Sequence, residues 1–192
     1  MIVMLNGSFG VGKTTTAKLL RAALPGSAIY DPEWAGIGLM RLPKWIKLEG
    51  SGTDDFQDIR WWRKSAVAGV RVFRMFVSGP VIVPMTFTDR AYFDEVSAGL
   101  KGLDPELRVF CLKASLPTVK NRLANRGDKP AGAGAEWTAR RIIECADAHR
   151  DPHFGEFIDT EGHTAPEVAA EIVKRLRRPG VRGGGGGRAA DF

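Results

Sequence analysis

Short, uniformly apolar runs alternate with longer amphipathic stretches along this chain of 192 residues. The runs Ile2–Asn6, Ala28–Asp31, Val81–Met85, Leu107–Leu112 and Glu156–Ile158 predict strands. Between them, apolar residues recur at helical spacing. Lys13–Leu24 reads as a first helix stopped by Pro25-Gly26, and Asp58–Val77 as a long one stopped by Gly79-Pro80. Asp89–Gly99, Leu116–Arg126 and Glu136–Arg150 follow. A last helix starts at Thr164, whose hydroxyl and Glu167 suit a capping box, and it carries Val168, Ile172 and Leu176 on one face. Strand and helix alternate from end to end, which predicts an α/β fold: a five-stranded parallel sheet with helices on both faces.

Composition adds one domain and a tail. At 44% hydrophobic and 26% charged the chain is ordinary for a globular protein, and residues 1–177 suffice for one core. Residues 178–192 contain the run Gly183–Gly187 and little apolar surface to offset the entropy of ordering, so a flexible tail is expected. Cys111 and Cys145 form no C-x-x-C pair and read as reduced core thiols. With no positive n-region before Ile2 and no run long enough to span a bilayer, a cytoplasmic protein is expected. The net charge of +6 suits anionic ligands and allows at most peripheral contact with an acidic membrane.

Chemistry enters at Gly7–Thr14, Gly-Ser-Phe-Gly-Val-Gly-Lys-Thr, which satisfies G-x-x-x-x-G-K-[ST] between the first strand and the first helix. Gly7, Gly10 and Gly12 let consecutive backbone N–H groups converge on phosphate oxygens, where the helix dipole adds positive potential. Lys13 reaches the β and γ phosphates in such loops, and the Thr14 hydroxyl holds Mg²⁺. Phe9, Val11 and Thr15 complete the expected nucleotide-binding segment. ATP and Mg²⁺ are the cofactors so implied.

The arrangement of the P-loop, Tyr30-Asp31-Pro32-Glu33, Leu112-Lys113-Ala114, Arg122-Leu123 with Arg126, and Ile158-Asp159-Thr160 resembles the nucleoside-monophosphate-kinase-like group of P-loop small-molecule kinases. Within that group, Asn6–Gly10, Tyr30–Glu33, Asp55-Phe56-Gln57-Asp58 and Val83-Pro84-Met85-Thr86 look like the ATP-binding tunicamycin resistance proteins. The resemblance covers residues 1–176. It implies a kinase of the P-loop NTPase fold with a small lid, acting on a small hydroxylated molecule such as tunicamycin or another uridine-containing compound. A nucleoside, nucleotide or other antibiotic kinase is the alternative within the class. A nucleotide-gated protein that sequesters the drug unmodified is the alternative outside it. Either a monomer or a homodimer is compatible with the sequence.

The resemblance also implies that Asp31 takes a proton from the acceptor hydroxyl or holds Mg²⁺ through water; a turn former before Pro32 is the plainer reading. Glu33 is a second carboxylate or a helix-start residue. The third strand ends at Thr86 without an acid, which leaves Mg²⁺ to Thr14, Asp31, water and the phosphates. Thr86 and Thr88 read either as phosphate or substrate contacts or as loop hydroxyls, and Asp89 as a helix N-cap.

Arg122 and Arg126 share a helix face before the Gly-rich stretch Gly127–Gly134, the expected lid at about 127–135, and one of them is expected at the transferring phosphoryl group. Arg140 and Arg141 stand behind them. Arg60, Arg63, Lys64, Arg71 and Arg74 make a basic stripe flanked by Trp61 and Trp62, read as an anionic-substrate surface or as a solvent face. The acceptor pocket is expected between Asp31, the segment 34–45 that includes Trp34 and Trp45, and Arg60 or Arg63. No nucleic-acid module and no histidine–cysteine metal spacing is present, so neither nucleic acid nor zinc is expected.

Overall fold

In the computed structural model, residues 1–32, 56–125 and 133–178 are described. Among them five strands form one parallel sheet: β1 (Ile2–Gly7), β2 (Ala28–Ile29), β3 (Val81–Pro84), β4 (Arg108–Lys113) and β5 (Glu156–Asp159). Their spatial order is β2-β3-β1-β4-β5. Ile2 stands opposite Val81, Val3 opposite Arg108, and Phe110 opposite Glu156. Among the described residues six helices accompany the strands: α1 (Lys13–Ala23), α2 (Arg60–Arg74), α3 (Arg90–Leu103), α4 (Leu116–Ala124), α5 (Ala133–Ala148) and, after β5, α6 (Ala165–Leu176).

The period-2 alternation of each strand explains the layers. Every residue of β1 is buried, so both of its faces must be covered. Ile2, Met4, Val81, Val83 and Cys111 point to one side, where Trp62, Ala66 and Val70 of α2 and Phe93, Val96 and Leu100 of α3 meet them. Val3, Leu5, Ile82, Phe110, Leu112 and Ile158 point to the other, against Ala17 and Leu20 of α1 and Val168, Ala169 and Ile172 of α6. Because β1 is central, α1 leaves it toward one edge while later connections carry the chain to the other, so its carboxyl end is a topological switch point where α/β sheets hold ligands.

Most expected boundaries hold within a few residues. β2 is shorter than expected, Ala28–Ile29, because it is an edge strand paired only with β3. The long helix expected over Asp58–Val77 is broken at its start: Phe56–Asp58 form one 3₁₀ turn, Ile59 is extended, and α2 begins at Arg60. Asp89 caps α3 by accepting from the Tyr92 N–H at 2.9 Å. Thr164 and Glu167 form the expected capping box of α6. Residues 133–135, expected in the lid, belong to α5. Arg126, residues 127–132 and the tail beyond Arg178 lie outside the described residues, as do Glu33, Trp34 and Trp45.

Candidate active site

The loop between β1 and α1 is built on backbone freedom that only glycine supplies. Gly10 has φ 77° and Gly12, the N-cap of α1, has φ 109°, both in the left-handed region. A Cβ on Gly10 would also lie 2.7 Å from Leu123 Cγ, so α4 packs directly on the loop. No side chain caps the amino terminus of α1, which leaves its first N–H groups and the positive dipole end to the loop. Lys13 is buried, and its Nζ donates to the carbonyls of Gly7 at 2.8 Å and Ser8 at 3.1 Å. The same ammonium lies 5.4 Å from the centroid of the Phe9 ring. Thr14 and Thr15 are exposed. These features fit a bound triphosphate: a cation and a helix terminus with solvent-facing hydroxyls beside them. No cluster of three or more acidic, histidine or cysteine groups able to hold a metal occurs among the described residues; the exposed Thr14 hydroxyl is a group that would fit an Mg²⁺ ion carried by phosphates.

The surrounding elements fix the loop through polar side chains. Asn6, fully buried, accepts from the N–H of Gly7 and from that of Phe87, each at 2.9 Å, and donates to the Phe154 carbonyl at 3.4 Å. It thereby ties the end of β1 to the chain after β3 and to the turn before β5. Arg122 from α4 donates to the Val11 carbonyl at 3.1 Å, and to the Thr160 hydroxyl at 3.0 Å and carbonyl at 2.7 Å. From α5, Trp137 meets Phe9 edge-on with centroids 5.4 Å apart. Arg141, 5.8 Å from the Trp137 ring, donates to the Thr88 hydroxyl at 3.3 Å and to Glu144 at 2.8 Å. Two rings flanked by two cations, Lys13, Phe9, Trp137 and Arg141, thus run from the loop to α5.

Electrostatics beneath the loop are those of a dry interior. His149 is 3% exposed, with Nε2 2.8 Å from the Phe87 carbonyl. Burial lowers its pKa to about 4, only partly opposed by that hydrogen bond, so the ring is neutral and its Nε2 carries the proton it donates. Both cysteines are free and buried; burial pushes Cys111 up to about 12 and raises Cys145, which makes them poor nucleophiles.

No family model and no curated protein matches this chain. Solved structures do. The tunicamycin resistance protein of Deinococcus radiodurans is 30% identical, over 93% of this chain and 96% of that one, with a TM-score of 0.69. This chain belongs to the tunicamycin resistance protein family. A sugar kinase from Janibacter sp. matches over 91% of this chain and 93% of its own at 17% identity and TM-score 0.62. Shikimate kinase from Acinetobacter baumannii, in complex with shikimate, matches over 91% and 92% at 15% identity and TM-score 0.58. At those identities the two kinases share the fold, which is that of P-loop small-molecule kinases.

In this family member the expected site residues are not all brought together. Gly7–Thr15 form the loop, and Asp31, half-buried, follows β2 at the same carboxyl edge of the sheet. Arg122 is occupied at the Thr160 side of the loop. The basic stripe on α2 does not act as one surface. Arg63 is 7% exposed, donates to Glu95 at 2.6 Å and to the Gln57 carbonyl, and stacks 4.0 Å from the Tyr92 ring centroid. Arg74 turns to Asp104 at 3.0 Å. Trp62 is in the core, and Arg60, Lys64, Arg71 and Trp61 remain exposed. Thr86 is fully buried with Oγ1 lacking a hydrogen-bond partner, and its carbonyl accepts from Gln57. Thr88 is the more accessible hydroxyl.

Sequence reading gave no role to Asn6, Trp137 or His149. For Asn6 the signal was present, since one amide side chain ends an otherwise apolar strand. Trp137 and His149 act through partners more than 60 residues away, which no local pattern reveals.

Proposed function

We propose that this protein is an ATP- and Mg²⁺-dependent phosphotransferase acting on a hydroxyl of a small molecule, with a nucleoside antibiotic of the tunicamycin kind as acceptor. The observation that carries the reading is the loop Gly7–Thr15, with Lys13 and the uncapped α1 terminus set at the switch point of the sheet. Membership in the tunicamycin resistance protein family supports the choice of acceptor.

ATP supplies the phosphoryl group when bound. Lys13, now on the carbonyls of Gly7 and Ser8, would hold phosphate oxygens together with the loop N–H groups and the α1 dipole, which would neutralise their charge. Thr14 provides a hydroxyl for Mg²⁺. Asp31 would accept the proton of the acceptor hydroxyl at its carboxylate or hold the ion. Arg141, held on Trp137 and Thr88, is with Arg140 on α5 a source of charge for the transferring group; Arg126, the other arginine expected in that role, lies outside the described residues. Arg122 binds through its hold on Val11 and Thr160 rather than at the reacting atoms. Arg60, exposed at the start of α2, serves the acceptor in this reading; Trp34, expected beside it from the sequence, lies outside the described residues.

The reading is tested by incubating the protein with Mg-ATP and tunicamycin, uridine or a uridine nucleotide and weighing the products by mass spectrometry. A product heavier by one phosphoryl group is expected, and Asp31→Asn should keep ATP binding while turnover falls roughly 10²-fold or more. Saturable drug binding with no mass change would make this a sequestering protein instead.

A further inference from the structure

We propose, on the phosphotransferase reading above, that the ring pair Phe9–Trp137 is an apolar wall beside the transferring phosphoryl group, which admits an acceptor hydroxyl and keeps water out. Phe9 stands third in the loop Gly7–Thr14. Such a loop holds phosphate through backbone N–H groups, so phosphate binding calls for no phenyl ring there. Core packing does not call for one either. Neither Phe9 nor Trp137 belongs to the apolar clusters on the two faces of the sheet, and both are partly exposed. The other ring pairs among the described residues lie in or against that core. The Phe9 ring nevertheless has a fixed place. It lies between the Lys13 ammonium, 5.4 Å from its centroid, and Trp137 of α5, whose ring meets it at 66° with centroids 5.4 Å apart. Trp137 is backed in turn by Arg141, one helical turn on, with its guanidinium carbon 5.8 Å from the indole centroid and a hydrogen bond to the Thr88 hydroxyl at 3.3 Å.

Lys13 is the cation that would hold the γ-phosphate, which puts the Phe9 ring beside the reacting phosphorus. In transfer, the acceptor oxygen bonds to that phosphorus, its bond to the β–γ bridging oxygen breaks, and the hydroxyl proton passes to Asp31. The products are ADP and a phosphate monoester. Water attacking in the same way gives ADP and inorganic phosphate. Lys13, the loop N–H groups and the α1 dipole act on the phosphate alike in both cases, so selection between the two nucleophiles has to come from what surrounds the phosphorus. A pair of rings offers water no hydrogen-bond partner. The same rings can pack on the base or the C–H face of a sugar that carries the acceptor hydroxyl. Phe9 and Trp137 are therefore specificity-determining residues, set by two elements, the loop and α5, that meet only in the folded chain.

The test measures ADP formed from Mg-ATP without an acceptor, and ADP formed per phosphorylated product with tunicamycin or uridine, for the full chain and for Phe9→Ala, Trp137→Ala and Trp137→Phe. Without acceptor, both alanine variants should hydrolyse ATP at least about fivefold faster than the parent, while Trp137→Phe, which keeps a ring, stays within about twofold of it. With acceptor, the parent should form ADP and product in step, and the alanine variants should form ADP in excess. Loss of Arg141 support alone would slow transfer and hydrolysis together, so faster hydrolysis isolates the wall. Both side chains lie outside the core clusters, and thermal melts of the variants should match the parent. Hydrolysis unchanged or slowed in both alanine variants, with product still formed in step with ADP, overturns the wall and leaves the phosphotransferase reading standing. Trp137→Phe as leaky as Trp137→Ala overturns it too. No phosphorylated product from the parent, with faster hydrolysis in the alanine variants, keeps the wall as a barrier to water and removes the proposed acceptor. ATP left intact by the parent and every variant removes both.

Discussion

Asn6 shows how much one amide can organise. It is the only polar side chain in a strand that is apolar from Ile2 to Leu5, and burial there is tolerable only because its oxygen accepts two N–H groups and its nitrogen finds a carbonyl. Asn6→Ala strands the N–H groups of Gly7 and Phe87, an expected loss of about 2–5 kcal/mol in urea unfolding with the slope unchanged. A loss below about 0.5 kcal/mol would mean that water replaces the amide fully. His149 is the second such residue. Its pKa is lowered from 6.5 to about 4, so the unfolded chain binds the proton more readily than the folded one. The stability this burial leaves intact is fully present above pH 6.5 and is lost as pH falls toward 4, by about 3 kcal/mol in total. His149→Gln keeps a donor for the Phe87 carbonyl and should flatten that part of the pH profile; equal slopes for both proteins between pH 7 and 4 would exclude the assignment.

At the scale of elements, α4 acts as a clamp. Leu123 fills the space against Gly10, and Arg122 joins the Val11 carbonyl to Thr160 after β5. Arg122→Ala should therefore destabilise the fold by about 1–3 kcal/mol, or roughly 3–9 °C in thermal melts, and speed hydrogen exchange at Val11–Thr16. An unchanged melting temperature with lost turnover would put Arg122 on the transferring phosphoryl group instead. The elements themselves were legible in the sequence, because doubly covered strands must be short apolar runs and Pro-Gly pairs close the helices that join them. The start of α2 was not. Apolar periodicity runs on through Gln57 and Ile59, and only tertiary contacts, Arg63 to the Gln57 carbonyl and Gln57 to that of Thr86, hold the break. The basic stripe is split for a like reason: charge spacing on one helix says nothing of Glu95 on α3 or of Asp104 just after it, to which Arg63 and Arg74 turn.

For the molecule as a whole, the sheet order places β1 between two differently directed connections, and the nucleotide loop follows from that position. The motif at Gly7–Thr14 was readable because its chemistry is local: glycines, a lysine and a helix start within one turn. The acceptor side was less so, since Arg141 meets Thr88 only through folding, and the segment 33–55 lies outside the described residues. The central claim is that the loop on β1 takes a nucleoside triphosphate through Lys13. Calorimetric titration of Mg-ATP into the protein and into Lys13→Ala tests it most directly. Saturable binding at one site per chain is predicted, weakened at least about tenfold by the substitution, as expected for a charge-assisted contact of about 1.5–3 kcal/mol. No binding by the parent protein, or equal affinity in the two, would contradict it.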